Sequence, residues 1–559
     1  MIAPEPGKRS NRQTSRLVVL RDNLLVSAFI FILLEIWRPH FFLTDDNLTL
    51  GFPVFTEIGN HLLSGRSPFV SDYLFGGNYN LLRDPSFLWW HPVYLFSSLL
   101  AGTPFHFWIM DVCALAMFQL VTAGFVNLVY YLRREMPLSL SDGWLMFFTM
   151  SFTYTIMAIT TGSSWLTFLG NQSALPWLAL GILQKKWREG IGLVMLFSLH
   201  HLLGGQLGAT VSNSIFLTLF AAGVSIARKS VAPLVYWIAG YALAVVILSP
   251  FLLPLFYGFL DSQRSHGVSL IDMQDNNIPA LLFPTSLFVG MALWIIHTPD
   301  HPYTTYTLAL GSCAASWCLL MTLVSRARWR GLEVVCAALM VFSAILIIRP
   351  LWISQVMLHV PLLRSMRWPF RELLQFHFFM HLFLVLRPPG WSPWIQKRTA
   401  AFSTSIMVLP MLLFILPPTF NSMNWDRELL FSGRMARYWD QVRPLLRPAN
   451  RVAVFIPWEI YNDDRFEEPY SLLATYNYSS LIQVINVWGY SPTTPGPLHG
   501  IRTAPFYPFG AYLPGQRASL LKEAPDLQFI TLESLKPLKI TLSSKDGPTI
   551  DLTPYIPQK

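Results

Sequence analysis

Apolar runs recur along this chain from residue 23 to residue 418, each long enough, or nearly so, to cross a bilayer. Little else in the sequence constrains its fold so strongly. Hydrophobic residues make up 53% of the chain and charged residues only 13%, against about 25% charged in a soluble globular domain. Mean hydropathy is +0.42. The chain reads as a polytopic α-helical membrane protein. Its 20 Trp and 20 Tyr suit interfacial belts as well as packing.

The net charge of +9 would suggest nucleic acid in a soluble protein. Here the basic residues sit in short loops between apolar runs, where a membrane protein sets its topology, so no nucleic-acid partner is expected. The four cysteines, Cys113, Cys313, Cys318 and Cys336, lie in apolar runs without metal-like spacing and read as packing residues. Residues 1–22 form a polar, basic N-terminal tail, and the apolar run after them lacks a small-residue cleavage site. That run is read as a retained first helix.

Lys/Arg clusters fall at 8–21, 133–134, 185–188, 228–229, 326–330 and 396–398. Placing each on the cytoplasmic side gives spans near 23–39, 105–132, 143–160, 172–184, 190–205, 208–227, 231–258, 303–325, 331–349, 370–387 and 400–418. That makes about 11 transmembrane helices, N-terminus inside and C-terminus outside. Counting 279–297 as a further crossing would move two basic clusters outside, so it is read as re-entrant or interfacial, as is 86–101. The transmembrane part then covers 23–418, with outer loops at 40–104, 259–302 and 350–369. Residues 419–559 form a small extracytoplasmic α/β domain. Its strands are expected at 451–457, 483–490, 527–532 and 538–542, and its helices at 434–446 and 465–481.

The first outer loop is dense in chemistry: Asp45, Asp46, Glu57, His61, Arg66, Asp72, Arg83, Asp84 and His91. Within it FPVFTEIGNHLL (52–63) carries apolar residues at helical spacing, which predicts a helix lying along the membrane surface. The third outer loop places Arg364, Arg367 and Arg371 at the mouth of a span, three and four residues apart and so on one helical stripe. Arginine clusters are depleted on the outer side, and the guanidinium fork suits phosphate. An anionic lipid headgroup would satisfy the same stripe. His377 and His381 stand at i, i+4, but no third metal ligand follows from spacing. No Walker loop, GxGxxG after a strand, HExxH or GxSxG is present, which removes support for nucleotide-driven transport and hydride chemistry.

Several of these segments together resemble a known family. They are Asp46 seven residues before Pro53, LLSGRSPF (62–69), YLFGGNYNLLRDPSFLWWHPVYLF (73–96), VPLLRSMRWPFREL (360–373) and VWGYSP (487–492). In order they cover most of the chain and resemble the YfhO-like bacterial membrane proteins, within the C-type membrane glycosyltransferase superfamily. The resemblance implies an enzyme that takes a sugar from a polyprenyl-phosphate donor at the outer face of the bacterial cytoplasmic membrane. It places the catalytic acid on Asp46, with Asp45 as its substitute. The superfamily often has a later acidic pair. Asp272 and Asp275 are the nearest candidates and do not match clearly, so a requirement for a divalent metal (Mg or Mn) stays open.

The chemistry is consistent with that implication. A sugar on a lipid phosphate already has its leaving group, so the reaction needs a base for the acceptor hydroxyl and cations for the departing phosphate. Asp46 is the expected base. Arg367, Arg371, Arg364, Arg83 and His91 are the expected donor-phosphate ligands, and Asp84, Glu57, Trp488 and Tyr490 the expected acceptor or sugar contacts. The aromatic residues serve equally well as core. Single displacement would invert the anomeric carbon. The expected partners are the donor, an envelope glycan, lipid or protein acceptor, and membrane lipids. Two alternatives remain: a carrier or flippase for lipid-linked sugars, and a non-catalytic envelope scaffold.

Overall fold

The computed structural model describes residues 16–43, 47–84, 90–262, 329–360, 363–366, 372–388, 424–446, 451–456, 470–474, 478–486 and 521–557, apart from a few positions inside these ranges, with isolated residues between 265 and 322. The spans expected at 303–325 and 400–418, and the segment 279–297, lie outside the described residues.

The other expected spans are helices. They are α1 (Arg16–Trp37), α4 (Ile109–Glu135), α5 (Asp142–Gly162), α6 (Leu166–Leu183), α7 (Trp187–Leu203), α8 (Leu207–Arg228), α9 (Ala232–Asp261), α10 (Gly331–Ile348) and α12 (Leu373–Leu386). Between them come α2 (Phe52–Leu63), α3 (Pro92–Ser98) and α11 (Leu351–His359). Among the described residues, four helical stretches are long and apolar enough to cross a membrane: His106–Glu135, Leu207–Arg228, Ala232–Asp261 and Gly331–Ile348. The chain is a membrane protein. Its exterior agrees, since α9 presents Ile238, Val246, Leu253 and Phe256 outward, Val246 being 69% exposed. A run of exposed aliphatic side chains this long belongs against lipid, not water.

The bundle packs around α4, whose Cys113, Met117, Val121, Phe125 and Val129 are fully or almost fully enclosed. Glycines permit the closest crossings. A Cβ built on Gly170 of α6 would lie 1.7 Å from the Gly204 carbonyl oxygen just beyond α7, so only hydrogen fits there. A Cβ on Gly59 of α2 would lie 1.9 Å from the carbonyl oxygen of Ser98 in α3.

Beyond the bundle come α13 (Asn424–Phe431), α14 (Arg434–Val442), α15 (Tyr470–Leu473) and α16 (Tyr478–Ile482). The strands are a small hairpin of β1 (Val70–Ser71) and β2 (Tyr79–Asn80), then β3 (Arg451–Phe455), β4 (Ile485–Asn486), β5 (Gln528–Leu535), β6 (Leu538–Ser544) and β7 (Ile550–Asp551). A five-stranded sheet runs β4-β3-β5-β6-β7, its β4-β3-β5 half parallel and the rest antiparallel. Inward residues such as Val452, Val454, Ile530, Leu532, Ile540 and Leu542 form its core.

Three expectations need correction. The helix at 52–63 forms with the expected bounds, but Phe52, Val54, Phe55 and Ile58 are each at most 1% exposed. It is enclosed by protein rather than laid on a membrane surface, because its polar side binds other parts of the chain. The expected helix 465–481 is two short helices, α15 and α16, among the described residues. The strand expected over 483–490 is only Ile485–Asn486 among them.

Candidate functional site

Polar groups concentrate at one end of the bundle, where α1, α7 and the first loop meet. Glu35 closes α1, Asp111 opens α4, and Asn171, Gln172 and Ser173 lie early in α6. His200 and His201 end α7, Thr210 and Asn213 begin α8, and Glu372 and Gln375 begin α12. Neighbouring helices run in opposite directions, so residues from starts and ends fall in one layer, and hydrogen bonds join them.

The Asn171 amide donates to the Thr210 hydroxyl at 2.9 Å and the His201 carbonyl at 3.1 Å. Gln375 donates to the Asn213 side-chain oxygen at 2.6 Å, and the Ser212 hydroxyl to Glu372 at 2.6 Å. The Val93 N–H donates to His91 Nδ1, which puts that ring's proton on Nε2. Nε2 then donates to His200 Nδ1 at 2.6 Å, and His200 Nε2 to the Ser173 hydroxyl at 2.6 Å. Ser173 ends the chain on the Gly170 carbonyl at 2.8 Å. Burial pushes the His91 imidazole down to about 4, so this relay is neutral at ordinary pH.

The approach to Asp45 and Asp46 is fixed on both sides. Glu35 accepts the N–H groups of His40 (2.8 Å) and Phe41 (3.1 Å), and Asp111 accepts that of Phe42 (3.0 Å). Arg427 of α13 donates to the Pro39 carbonyl. After the acids, Asn47 accepts the Leu166 N–H at 3.1 Å.

Glu57 on α2 is almost wholly buried. Its carboxylate accepts the Ser71 hydroxyl (2.7 Å), the Asp72 N–H (2.7 Å) and, from α16, the Ser480 hydroxyl (2.6 Å). Burial raises its pKa, while these donors and His61 oppose that shift. One turn later His61 faces Asp72 at 3.1 Å, and Arg66 pairs with the same Asp72 oxygen at 2.7 Å.

The two loops that carry the expected cations meet at the far end of α9. Arg83 ion-pairs with Asp261, and a Cβ on Gly258 would lie 1.7 Å from the Arg83 carbonyl oxygen. Arg364 donates to the Ser265 carbonyl, and its aliphatic stem lies along Gly267. Asp84 is buried and accepts the Tyr79 hydroxyl at 3.3 Å. Asp45, Asp46, Arg367, Arg371, Trp488 and Tyr490 lie outside the described residues, as do Asp272 and Asp275. His377 and His381 are buried deeper in α12, where His381 bonds the Ser151 hydroxyl at 3.0 Å.

Sequence reasoning did not single out the layer of Asp111, Asn171, Gln172, Ser173, Asn213 and Gln375. The one available signal was the consecutive Asn-Gln-Ser inside an apolar run, which turns a polar group to more than one side of a helix. It also missed Ser480, for which no local pattern exists. Comparison with protein-family models, with characterised proteins and with solved structures finds no match.

Proposed function

We propose that the chain is an inverting glycosyltransferase that moves a sugar from a polyprenyl phosphate to a cell-envelope acceptor hydroxyl. In this reading the bundle has eleven crossings in the bacterial cytoplasmic membrane, and the C-terminal sheet lies outside the cell. The observation that carries the proposal is the meeting of Arg83, from the first loop, and Arg364, from the third, on the short stretch from Asp261 to Gly267. Guanidinium groups from two distant parts of the sequence thus border one end of the bundle, the end that carries its polar layer.

The reaction follows from those parts. Asp46 takes the proton from the acceptor hydroxyl as that oxygen bonds to the anomeric carbon. The bond from that carbon to the phosphate oxygen breaks, and the polyprenyl phosphate leaves with the electron pair, its charge balanced by the arginines. The hydrogen-bonded flanks at 40–42 and Asn47 support this role, because anchoring near a base reduces the freedom lost on reaching substrate. Asp46→Asn is expected to fold normally and transfer no sugar in an assay of purified protein with a panel of polyprenyl-phosphate sugars. Full activity in that variant would sink the assignment.

A second reading, a carrier for lipid-linked sugars, is favoured by the polar layer inside the bundle, since carriers place polar sites between helices. Reconstituted vesicles separate the two. A carrier moves the donor across the bilayer intact, whereas the enzyme releases polyprenyl phosphate.

A further inference from the structure

We propose that Glu57, His61 and Asp72 form a three-ligand site for a divalent first-row metal ion, zinc above all. The inference stands apart from the glycosyltransferase reading. Nδ1 of His61 lies 2.9 Å from the Ser67 carbonyl and must donate to it, because a carbonyl only accepts. In the neutral ring Nε2 is then a lone pair. It points at Asp72 Oδ2, 3.1 Å away, with Glu57 Oε1 at 4.0 Å. All three ligand atoms lie within 4.8 Å of one another.

Arg66 offsets one of the two carboxylate charges from the side, through Asp72, and the Asp72 N–H reaches the facing Glu57 oxygen at 2.7 Å, but neither donor lies among all three atoms. A proton on Nε2 reaches Asp72 but not Glu57, since 4.0 Å is beyond hydrogen-bond range. A metal reaches all three. Bonds of about 2.0–2.2 Å set neighbouring ligand atoms roughly 3 to 4 Å apart.

The surroundings also match a metal centre. The far ring nitrogen of His61 is held by a carbonyl, the usual way a ligating imidazole is oriented. The second oxygen of Glu57 is held by the Ser71 and Ser480 hydroxyls. The set of one imidazole and two carboxylates favours zinc over magnesium or calcium, which prefer oxygen alone. The Asp72 side chain is 36% exposed, so water has access to the remaining coordination position. The ion would fasten α2 to the β1–β2 turn and, through Ser480, to the C-terminal region.

The test uses the full-length protein in detergent, free of any affinity tag and stripped with a chelator. Zinc is titrated by calorimetry and cobalt by its visible absorption. The expected result is one equivalent bound, with affinity lowered at least about 100-fold in Asp72→Asn and about 10- to 100-fold in Ser480→Ala. Asp72 is part-exposed, so its substitution should not threaten folding. His61→Cys supplies a sulfur ligand in place of nitrogen and should add a thiolate-to-cobalt band while retaining binding. Absence of stoichiometric binding overturns the proposal. So does binding that Asp72→Asn leaves unchanged, or a His61→Cys spectrum without the thiolate band.

Discussion

The bundle interior and the parts outside it solve the same problem with different groups. Inside, helices are joined largely by neutral amides, hydroxyls and imidazoles, as Asn171 with Thr210, Gln375 with Asn213, and His200 with Ser173, the bond from Ser212 to Glu372 being a charged exception. Outside, the joints are buried carboxylates gripped by serine. Glu57 is held by Ser71 and Ser480, and Asp426 by the N–H and hydroxyl of Ser471. A buried charge is costly unless it is fully hydrogen-bonded, and costlier still in hydrocarbon. Carboxylate joints therefore suit regions where the unfolded chain and its partners meet water, and neutral joints suit the membrane. The contrast predicts that stability outside the bundle responds to pH while the neutral joints do not.

Asp426 should give the largest effect. Burial pushes its carboxyl up to about 7 from an ordinary value of 3.8. Because the folded value lies above the unfolded one, the folded state holds its proton longer. Stability is fully present below pH 3.8 and is lost as pH rises toward about 7. The size is roughly 4 kcal/mol, from about three pKa units. Asp426→Asn should flatten this slope in melting curves measured between pH 4 and 8, and a slope unchanged in the variant would break the contrast.

Gly170→Ala comes next, with a loss of about 3 kcal/mol, because the new methyl meets backbone that cannot move aside. Its effect should be the same at pH 5 and pH 8, as befits a neutral joint. Ser480→Ala should cost about 2 kcal/mol, the loss of one hydrogen bond to a buried carboxylate. Arg66→Ala should be the mildest, below about 1 kcal/mol, since the pair with Asp72 is half in water. Thermal unfolding of the full chain measures each.

What the sequence conveyed well was periodic. The apolar runs located most of the helices to within about four residues, while α1 and α6 begin seven and six residues before their expected starts. FPVFTEIGNHLL became a helix with its expected limits because its apolar spacing, and a proline in its first turn, both act locally. Strands β3, β5 and β6 were legible as short apolar runs, although consecutive residues such as Val452–Phe455 are buried, so both faces of β3 are covered rather than one. Two-residue strands such as β1, β2 and β7 carry no such pattern.

The site was legible only as an inventory. The sequence could name Glu57, His61, Asp72, Arg83 and Arg364 as chemically able, yet their partners come from elsewhere in the chain. Arg83 meets Asp261 from 178 positions away, and Arg364 meets Ser265 from 99. His91, expected at a phosphate, caps α3 by accepting the Val93 N–H in the helix's first turn and bonds His200. Such pairings depend on how helices cross, which no local window records.

The bond from Ser480 to Glu57 spans 423 positions, and that separation bears on how the protein is made. At a synthesis rate of about 5–20 residues per second, the carboxylate waits roughly 20 to 85 s for its distant serine to leave the ribosome. Until then the first loop has an incomplete set of donors, and its final closure belongs among the last events of assembly rather than the first. A chain released early from translation would lack the Ser480 donor to Glu57.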